Sequence, residues 1–284
     1  MAVMGLVVHP ERPLGRRLGL EIAAWLQAEG HEVRIPASDR EVLPALAAFA
    51  VADDRLGEDV QFVVSIGGDG TMLRAVRLVS RAGTPVLGVN VGHLGYLTEV
   101  RPDNWRPALV RVLAGDYLVQ ERMTLDVGLV GADGPSTVAR TSLNDAVVEK
   151  LEAGHTIRVA VAISGQPAIS YAADALIVCT PTGSTAYNLS AGGPVVSPRL
   201  EALTVTPVAA HSLFGRALVV ARDEIVRVEV LGGSAVLGVD GQHCGHLAEG
   251  DVVECRASTQ PARLITFGEQ DFWRVITAKF GLAQ

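Results

Sequence analysis

The sequence predicts an α/β protein with a parallel sheet in its first half, followed by a β-rich second half. Three observations predict this class. Short apolar runs alternate with amphipathic helical patterns over residues 1–121, the hydrophobic period drops to two beyond about residue 122, and the chain turns helical again near its end. An α/β domain is therefore expected at 1–121, joined by about 263–284, with a β-rich domain at 122–262. A chain of 284 residues is longer than one core usually serves, which agrees with two domains.

The elements follow in order. Met4–Val8, Glu32–Ile35, Phe62–Ile66 and Val86–Val89 read as strands. Leu18, Ile22, Trp25 and Leu26 fall at i, i+4, i+7 and i+8, so a helix is expected over about 14–29 with Gly30 as its C-cap. Residues 72–82 repeat the pattern and stop at Gly83. Strands alternating with helices imply βαβ units and a parallel sheet. Further on, Ile157, Val159, Val161 and Ile163 alternate with other residues, as do Val226, Val228 and Val230. Asp240-Gly241, after Val236–Val239, marks a hairpin turn. Phe272, Ile276 and Phe280 recur at four-residue spacing, and this last helix is expected to pack back on the first domain.

Composition narrows the function classes. Hydrophobic residues make 49% of the chain and charged ones 19%, as in globular proteins. No apolar run approaches the ~20 residues of a membrane-spanning helix. The opening "MAVMGLVVHPERP" lacks a basic n-region and cleavage site, so no signal peptide is expected. A formal net charge of -7 argues against nucleic acid as a partner. It leaves anionic small ligands open, because a few local N–H groups outweigh a global charge. Cys179, Cys244 and Cys255 show no metal-ligand spacing, which fits reduced thiols and a cytoplasmic location. The only lysines are Lys150 and Lys279, and no glycine loop is followed by Lys-Ser/Thr. Any handling of phosphate proceeds without the usual loop lysine.

Two segments carry chemistry. "SIGGDGT" (65–71) follows an apolar strand and precedes a helical pattern, placing backbone N–H groups where anions bind. Its glycines permit φ > 0 and close approach of a ligand. The spacing is not that of the dinucleotide fingerprint GxGxxG. A tight turn in which Asp69 caps the following helix is equally compatible with these residues. "TPTGSTAYNLSAGGPVVSP" (180–198) gathers hydroxyls and small residues around Tyr187, which can stack a flat base. No GxSxG elbow is present, so Ser184 is not read as an acyl-transfer nucleophile. His243, Cys244 and His246 lack an evident fourth ligand and are not read as a zinc site.

"GGDGTMLRA" (67–75), "NVGHLGYL" (90–97), "LNDAVV" (143–148), "DALIVCTPTGSTAYNLSAGGP" (174–194) and "HSLFGRALVV" (211–220) occur in the order found in NAD kinases. The chain resembles a bacterial NAD kinase over nearly its whole length. GGDGT is shared with diacylglycerol, sphingosine and phosphofructokinase-type kinases; the segment around TPTGSTAY is far more particular. The resemblance implies transfer of the γ-phosphoryl group of ATP, or in some members polyphosphate, to the 2′-hydroxyl of the adenosine ribose of NAD. Asp69 matches the catalytic aspartate that accepts the hydroxyl proton, and Gly67, Gly68, Gly70 and Thr71 match the ATP-phosphate loop. NAD contacts are implied at Asp69 and Gly70, and at Asn144 and Asp145 for the adenosine. They are also implied at Asp174 and along Thr185, Ala186, Tyr187, Asn188, Leu189 and Ser190, with variable positions at Arg74, His155 and Gln242. Asp145 stands where relatives usually have glutamate, and Ala175 replaces a glycine, which would narrow the space beside the nicotinamide. His93 and His211 lie in matching motifs and are also readable as structural histidines. Mg²⁺ is expected to arrive with ATP, with no metal site of the protein's own. The resemblance also implies a homodimer or homotetramer, and no membrane partner is expected because the sequence shows no membrane-facing basic or amphipathic element.

Overall fold

The computed structural model describes residues 1–92, 95–130, 137–268 and 271–281. Two compact units emerge: Met1–Glu121 with Pro261–Gln284, and Arg122–Gln260. The first unit opens with β1 (Val3–Val8), α1 (Pro13–Ala28), β2 (Glu32–Pro36), β3 (Ala50–Val51) and β4 (Phe62–Gly67). It continues through α2 (Asp69–Val79), β5 (Val86–Asn90), α3 (Trp105–Leu113) and β6 (Leu118–Arg122). The second unit comprises β7 (Leu125–Val130), β8 (Thr137–Ser142), β9 (Asp145–Lys150), β10 (Ile157–Ile163), β11 (Gln166–Ala173) and β12 (Ala175–Cys179). After the short α4 (Tyr187–Ser190) come β13 (Ala202–Val208), β14 (Leu218–Ala221), β15 (Val226–Gly232), β16 (Ala235–Val239), β17 (Gln242–Leu247) and β18 (Val252–Ala257). The chain then returns to the first unit with β19 (Ala262–Thr266) and α5 (Phe272–Phe280).

The first sheet runs β3-β2-β1-β4-β5-β19-β6, with parallel pairing from β3 through β19. β4 is buried at every position, as a strand covered on both faces must be, and its sequence FVVSIG is accordingly apolar without alternation. From β1 the chain moves outward to β2 and β3 on one side, and through β4 to β5 on the other. The sheet therefore has its topological switch between β1 and β4, and in open α/β sheets ligands bind beyond the strand C-termini at that point. Helix α1 buries Leu18, Ile22 and Leu26, the stripe expected from its spacing, and Gly30 follows its end at φ 79°.

Helix α2 differs from expectation. It starts at Asp69, not at residue 72, and ends at Val79. The Gly68 carbonyl accepts from Thr71 N at 3.0 Å and Met72 N at 3.1 Å, so the helix winds up inside the glycine stretch. Glycine is costly in a helix interior but not at its N-terminal boundary. Helix α3 has no counterpart in the sequence reading; Pro107 in its first turn obscures a short apolar pattern of Trp105, Leu109 and Val112.

The second unit holds two six-stranded sheets, β11-β10-β15-β18-β7-β8 and β14-β13-β12-β9-β16-β17. Alternate residues of both, among them Val127, Val148, Val159, Val178, Val205 and Val228, enclose one core. The expected alternating runs pair directly, Val161 opposite Val228. The second sheet also buries its outer face, where Val147, Ala175, Ile177 and Cys179 pack with Ala191. Asp240 and Gly241 take φ 47° and 72°, the doubly positive turn that suits the twist of a hairpin, here between β16 and β17.

Helix α5 lies in the first unit, as expected. Asp271 caps it by accepting from Trp273 N at 2.7 Å, and Gly281 closes it at φ 62°. Its buried pair is Val275 and Ile276, whereas Phe280, expected on the packed face, is 50% exposed. The helix is nine residues long, and its last turn runs past the surface it covers. Among the described residues no helix is long and apolar enough to cross a membrane.

Candidate active site

In the first unit a cavity of about 420 Å³ opens at the switch point, beyond the C-terminal ends of β1, β4 and β5. The turn after β1 contributes His9, Pro10 and Arg12; the turn after β4 contributes Gly68, Asp69, Gly70, Thr71 and Arg74. Gly92 and Gly95 follow β5, and Lys279 comes from α5. The Asp69 carboxylate does not cap its helix. Gly68 holds the N-cap position, and Asp69 accepts instead from Tyr96 N at 2.9 Å and Leu97 N at 3.1 Å. Gly95 makes this possible, because a Cβ there would run into the Asp69 carboxylate. The side-chain direction of Asp69 is thus fixed by backbone donors from the NVGHLGYL segment, whose His93 lies outside the described residues.

The expected role of φ > 0 in the glycine loop does not apply. Gly68 has φ -117° and ψ -163°, extended backbone open to any residue, and neither Gly67 nor Gly70 has positive φ. A Cβ at Gly68 or Gly70 would meet no protein atom within 4 Å, so both face open space in the cavity. At Gly67, by contrast, a Cβ would strike the Thr71 side chain. Arg74 lines the cavity with its guanidinium tied to Asp39, to Ser38 Oγ at 2.7 Å and to the Val8 carbonyl at 3.3 Å. Arg12 Nη1 donates to the Val91 carbonyl at 3.1 Å. The Tyr96 phenol is pushed up by burial and by the charge of Asp69.

The second unit builds a separate cluster around the Leu143-Asn144-Asp145 turn that enters β9. Asp240, in the hairpin turn, accepts from Ser142 Oγ at 2.6 Å, Leu143 N at 2.9 Å, Asn144 N at 2.8 Å and Asp145 N at 3.2 Å. Opposite it, Thr180 N donates to the Asn144 carbonyl at 2.9 Å and Thr180 Oγ1 to the Leu143 carbonyl at 2.6 Å. Gly183 packs so closely on this turn that a Cβ would collide with the Asn144 carbonyl. The backbone of Asn144 is therefore fully engaged, while its side-chain amide has no partner among the described residues. Asp145 is buried, and burial first, then the neighbouring Asp240, raises its carboxyl to about 7.

Strand parity places the rest. Asp145, Val147 and Glu149 share the outer face of the second sheet with Ala175, Ile177 and Cys179 of the paired β12. The segment after β12 folds back over this face, so Ala175 lies fully buried near Ala191. Tyr187 is 38% exposed, its phenol raised by burial and then by Glu149, Asp174 and Asp145. Asp174, at the far end of β12, pairs with Lys150 Nζ at 2.8 Å. Asn188 differs from its neighbours. It is 0% exposed, its Nδ2 donating to the carbonyls of Ser184 and Pro194 and its Oδ1 accepting from Thr206. Its side chain holds the loop and does not face a ligand. Thr185, Ala186 and Leu189 are partly exposed and Ser190 is exposed. Gln242 accepts from Arg140 Nη1 at 3.0 Å, and His155 stands exposed beside Glu152. No group of three or more His, Cys, Asp or Glu able to hold a metal occurs among the described residues.

Sequence reasoning missed the cavity-lining His9, Arg12 and Lys279, and it saw Asp240 only as a turn former. The first two sit just after a strand flanking the switch point, a signal that needs the strand order to be read. The arrangement can do two things chemically. The first unit offers a fixed carboxylate beside cations and open glycine backbone, suited to a polyphosphate. The second offers an amide, a carboxyl and a ring, suited to a base and its ribose.

Two family models match successive parts of the chain. The profile of the ATP-NAD kinase N-terminal domain matches residues 4–117, and that of the ATP-NAD kinase C-terminal domain matches residues 143–267. The NAD kinase of Heliobacterium modesticaldum is 40% identical, the alignment covering 98% of each chain. Among solved structures, the yeast NADH kinase complexed with NADH has a similar fold, with a TM-score of 0.91 at 24% identity over 100% of this chain and 89% of that one. An NAD kinase from Archaeoglobus fulgidus in complex with ATP gives a TM-score of 0.76 at 26% identity, covering 100% of both chains.

Proposed function

The chain belongs to the ATP-NAD kinase family, and on that premise we propose how its residues divide the phosphorylation of NAD by ATP. The 2′-oxygen of the adenosine ribose forms a bond to the γ-phosphorus, the bond from that phosphorus to the β–γ bridging oxygen breaks, and ADP leaves. The hydroxyl proton passes to the Asp69 carboxylate. Phosphoryl transfer depends mainly on positioning and charge stabilisation, and general-base help to a hydroxyl is typically worth about 10²–10⁴-fold.

Gly67, Gly68, Gly70 and Thr71 present the backbone to the donor phosphates, with Arg12 and Arg74 adding positive charge. Asn144 reads the adenine edge with its uncommitted amide. Asp145 accepts from ribose hydroxyls, and Tyr187 with Thr185, Ala186, Leu189 and Ser190 covers the nucleotide. Asn188 acts by supporting that loop. Asp174, His155 and Gln242 take peripheral contacts to NAD. Mg²⁺ belongs to the donor substrate; among the described residues the cavity supplies one carboxylate, Asp69, which suits a cation that keeps its waters and its phosphate ligands. The cavity reads phosphate through cations and backbone, so inorganic polyphosphate is to be tested beside ATP. The assembly is a homodimer or homotetramer working in the cytoplasm with reduced thiols, and Cys179 and Cys255 are buried and unpaired.

One observation carries the assignment of Asp69: its carboxylate is held at the cavity wall by two backbone N–H groups while the glycines beside it face open space. The test is NADP formation from NAD and ATP by the purified protein and by Asp69→Asn. The variant is expected to keep the KM for NAD within a few-fold and to lose about two to four decades of kcat. Undiminished turnover would remove Asp69 from this role.

A further inference from the structure

We infer that Lys279, carried by the C-terminal helix α5, supplies the phosphate-binding lysine that the glycine loop lacks. The inference rests on the donor-site reading above. Of the chain's two lysines, Lys150 is held by Asp174 in the second unit. Lys279 lines the cavity that holds Gly68, Asp69 and Gly70.

Its position is set from both sides. Lys279 stands in the last turn of α5, with Nζ 3.9 Å from the centroid of the Tyr96 ring. Tyr96 is itself tethered by its N–H to the Asp69 carboxylate, so ring, lysine and carboxylate form one assembly at the cavity wall. A ring face attracts an ammonium without taking its N–H donors, so the group remains able to bind an anion.

The other cations of the cavity are committed in part. Arg74 is tied to Asp39, Ser38 and Val8, and Arg12 to the Val91 carbonyl. Lys279 makes no ion pair with any described residue. A chain of net charge -7 thus places an ammonium with its N–H donors uncommitted to any described ion pair in a cavity whose carboxylate would otherwise repel a polyphosphate. The alternative role, a lysine that merely favours the C-terminal end of its helix, predicts a loss of stability without a loss of donor affinity.

With only two lysines, amine chemistry on the unmodified protein gives a clean test. Reductive methylation followed by peptide mass spectrometry is run with and without ATP, and with and without tripolyphosphate. Both anions are expected to slow labelling of Lys279 while Lys150 reacts at an unchanged rate. Equal labelling of Lys279 in all arms overturns the inference. In parallel, Lys279→Met, which keeps the aliphatic stem, is expected to raise the KM for ATP about 10- to 100-fold, as for one lost charge-assisted hydrogen bond. The KM for NAD should stay within two-fold, and Lys279→Arg should recover most of the loss. A folded Lys279→Met with an unchanged KM for ATP also overturns it. The two readings fail separately: no NADP from the wild type sinks the proposed function, whereas protection of Lys279 by tripolyphosphate would still uphold the lysine.

Discussion

Gly68 offers the sharpest test at the scale of single residues, because its conformation is ordinary and its surroundings are empty. Its φ of -117° suits alanine, and a methyl group would touch nothing of the protein. Gly68→Ala should therefore leave thermal stability unchanged, or raise it by at most ~1 kcal/mol through the unfolded chain. If the donor phosphates lie against this backbone, the same methyl group should raise the KM for ATP well above that for NAD. A variant with both KM values unchanged would place the donor elsewhere. Asp145 supplies a second test, through pH. Its carboxyl, raised to about 7 from an ordinary 3.8, is protonated in the folded protein where the unfolded chain has already lost the proton. The stability this confers is complete below the ordinary value and is lost as pH climbs through about 7. Binding runs the other way, since a carboxylate that accepts from ribose hydroxyls must be ionised. The KM for NAD should fall as pH rises through about 7, and Asp145→Asn should abolish that inflection. At this scale the sequence named Asp69 and Asn144 through their motifs. It did not reveal that Asp69 is aimed by the N–H groups of Tyr96 and Leu97, since such long-range bonds leave no local pattern.

Among elements, the hairpin turn of β16 and β17 does more than reverse the chain. One carboxylate, Asp240, gathers a hydroxyl and three consecutive N–H groups, and so sets the shape of the Leu143-Asn144-Asp145 turn. Asp240→Ala strands those donors, at a cost of ~1–3 kcal/mol for each group left unsatisfied. Its melting temperature should fall by several degrees and the KM for NAD should rise at least tenfold, with the KM for ATP near normal. Steady-state kinetics and calorimetry check this, and an unmoved KM for NAD would reduce the turn to scaffolding. The elements themselves were largely legible. Period-two runs gave β10 and β15, the Asp-Gly pair gave the hairpin, and the spacing of Leu18, Ile22 and Leu26 gave α1. Two expectations differ from the structure for physical reasons: helix α2 begins within glycines because an N-terminus tolerates them, and Phe280 lies beyond the surface that α5 covers.

For the whole molecule, the division of labour should be visible in hydrogen exchange. Tripolyphosphate or ATP alone should slow exchange in the glycine loop and the segment following β5. NAD should slow it at Leu143–Asp145 and along the loop from Thr180 to Ser190. Protection by ATP confined to the second unit would contradict the assignment. The two units and their sheet classes could be read from periodicity, whereas the strand order that creates the switch-point cavity could not, because pairing partners are far apart in the chain.

That strand order also bears on how the protein is made. In the first sheet β19 lies between β5 and β6, and among the described residues β6 has no other neighbour there. A ribosome delivers β6 long before β19, with nearly all of the second unit synthesised in between. The usual vectorial order, in which the amino-terminal domain finishes first, cannot hold for this sheet, because its strand β19 follows the second unit in the chain. The continuous second unit can close while the first still waits for its missing strand, and β6 must stay unpaired through that interval. The segment that follows Gln260 both completes the sheet with β19 and carries α5, whose Lys279 lines the cavity.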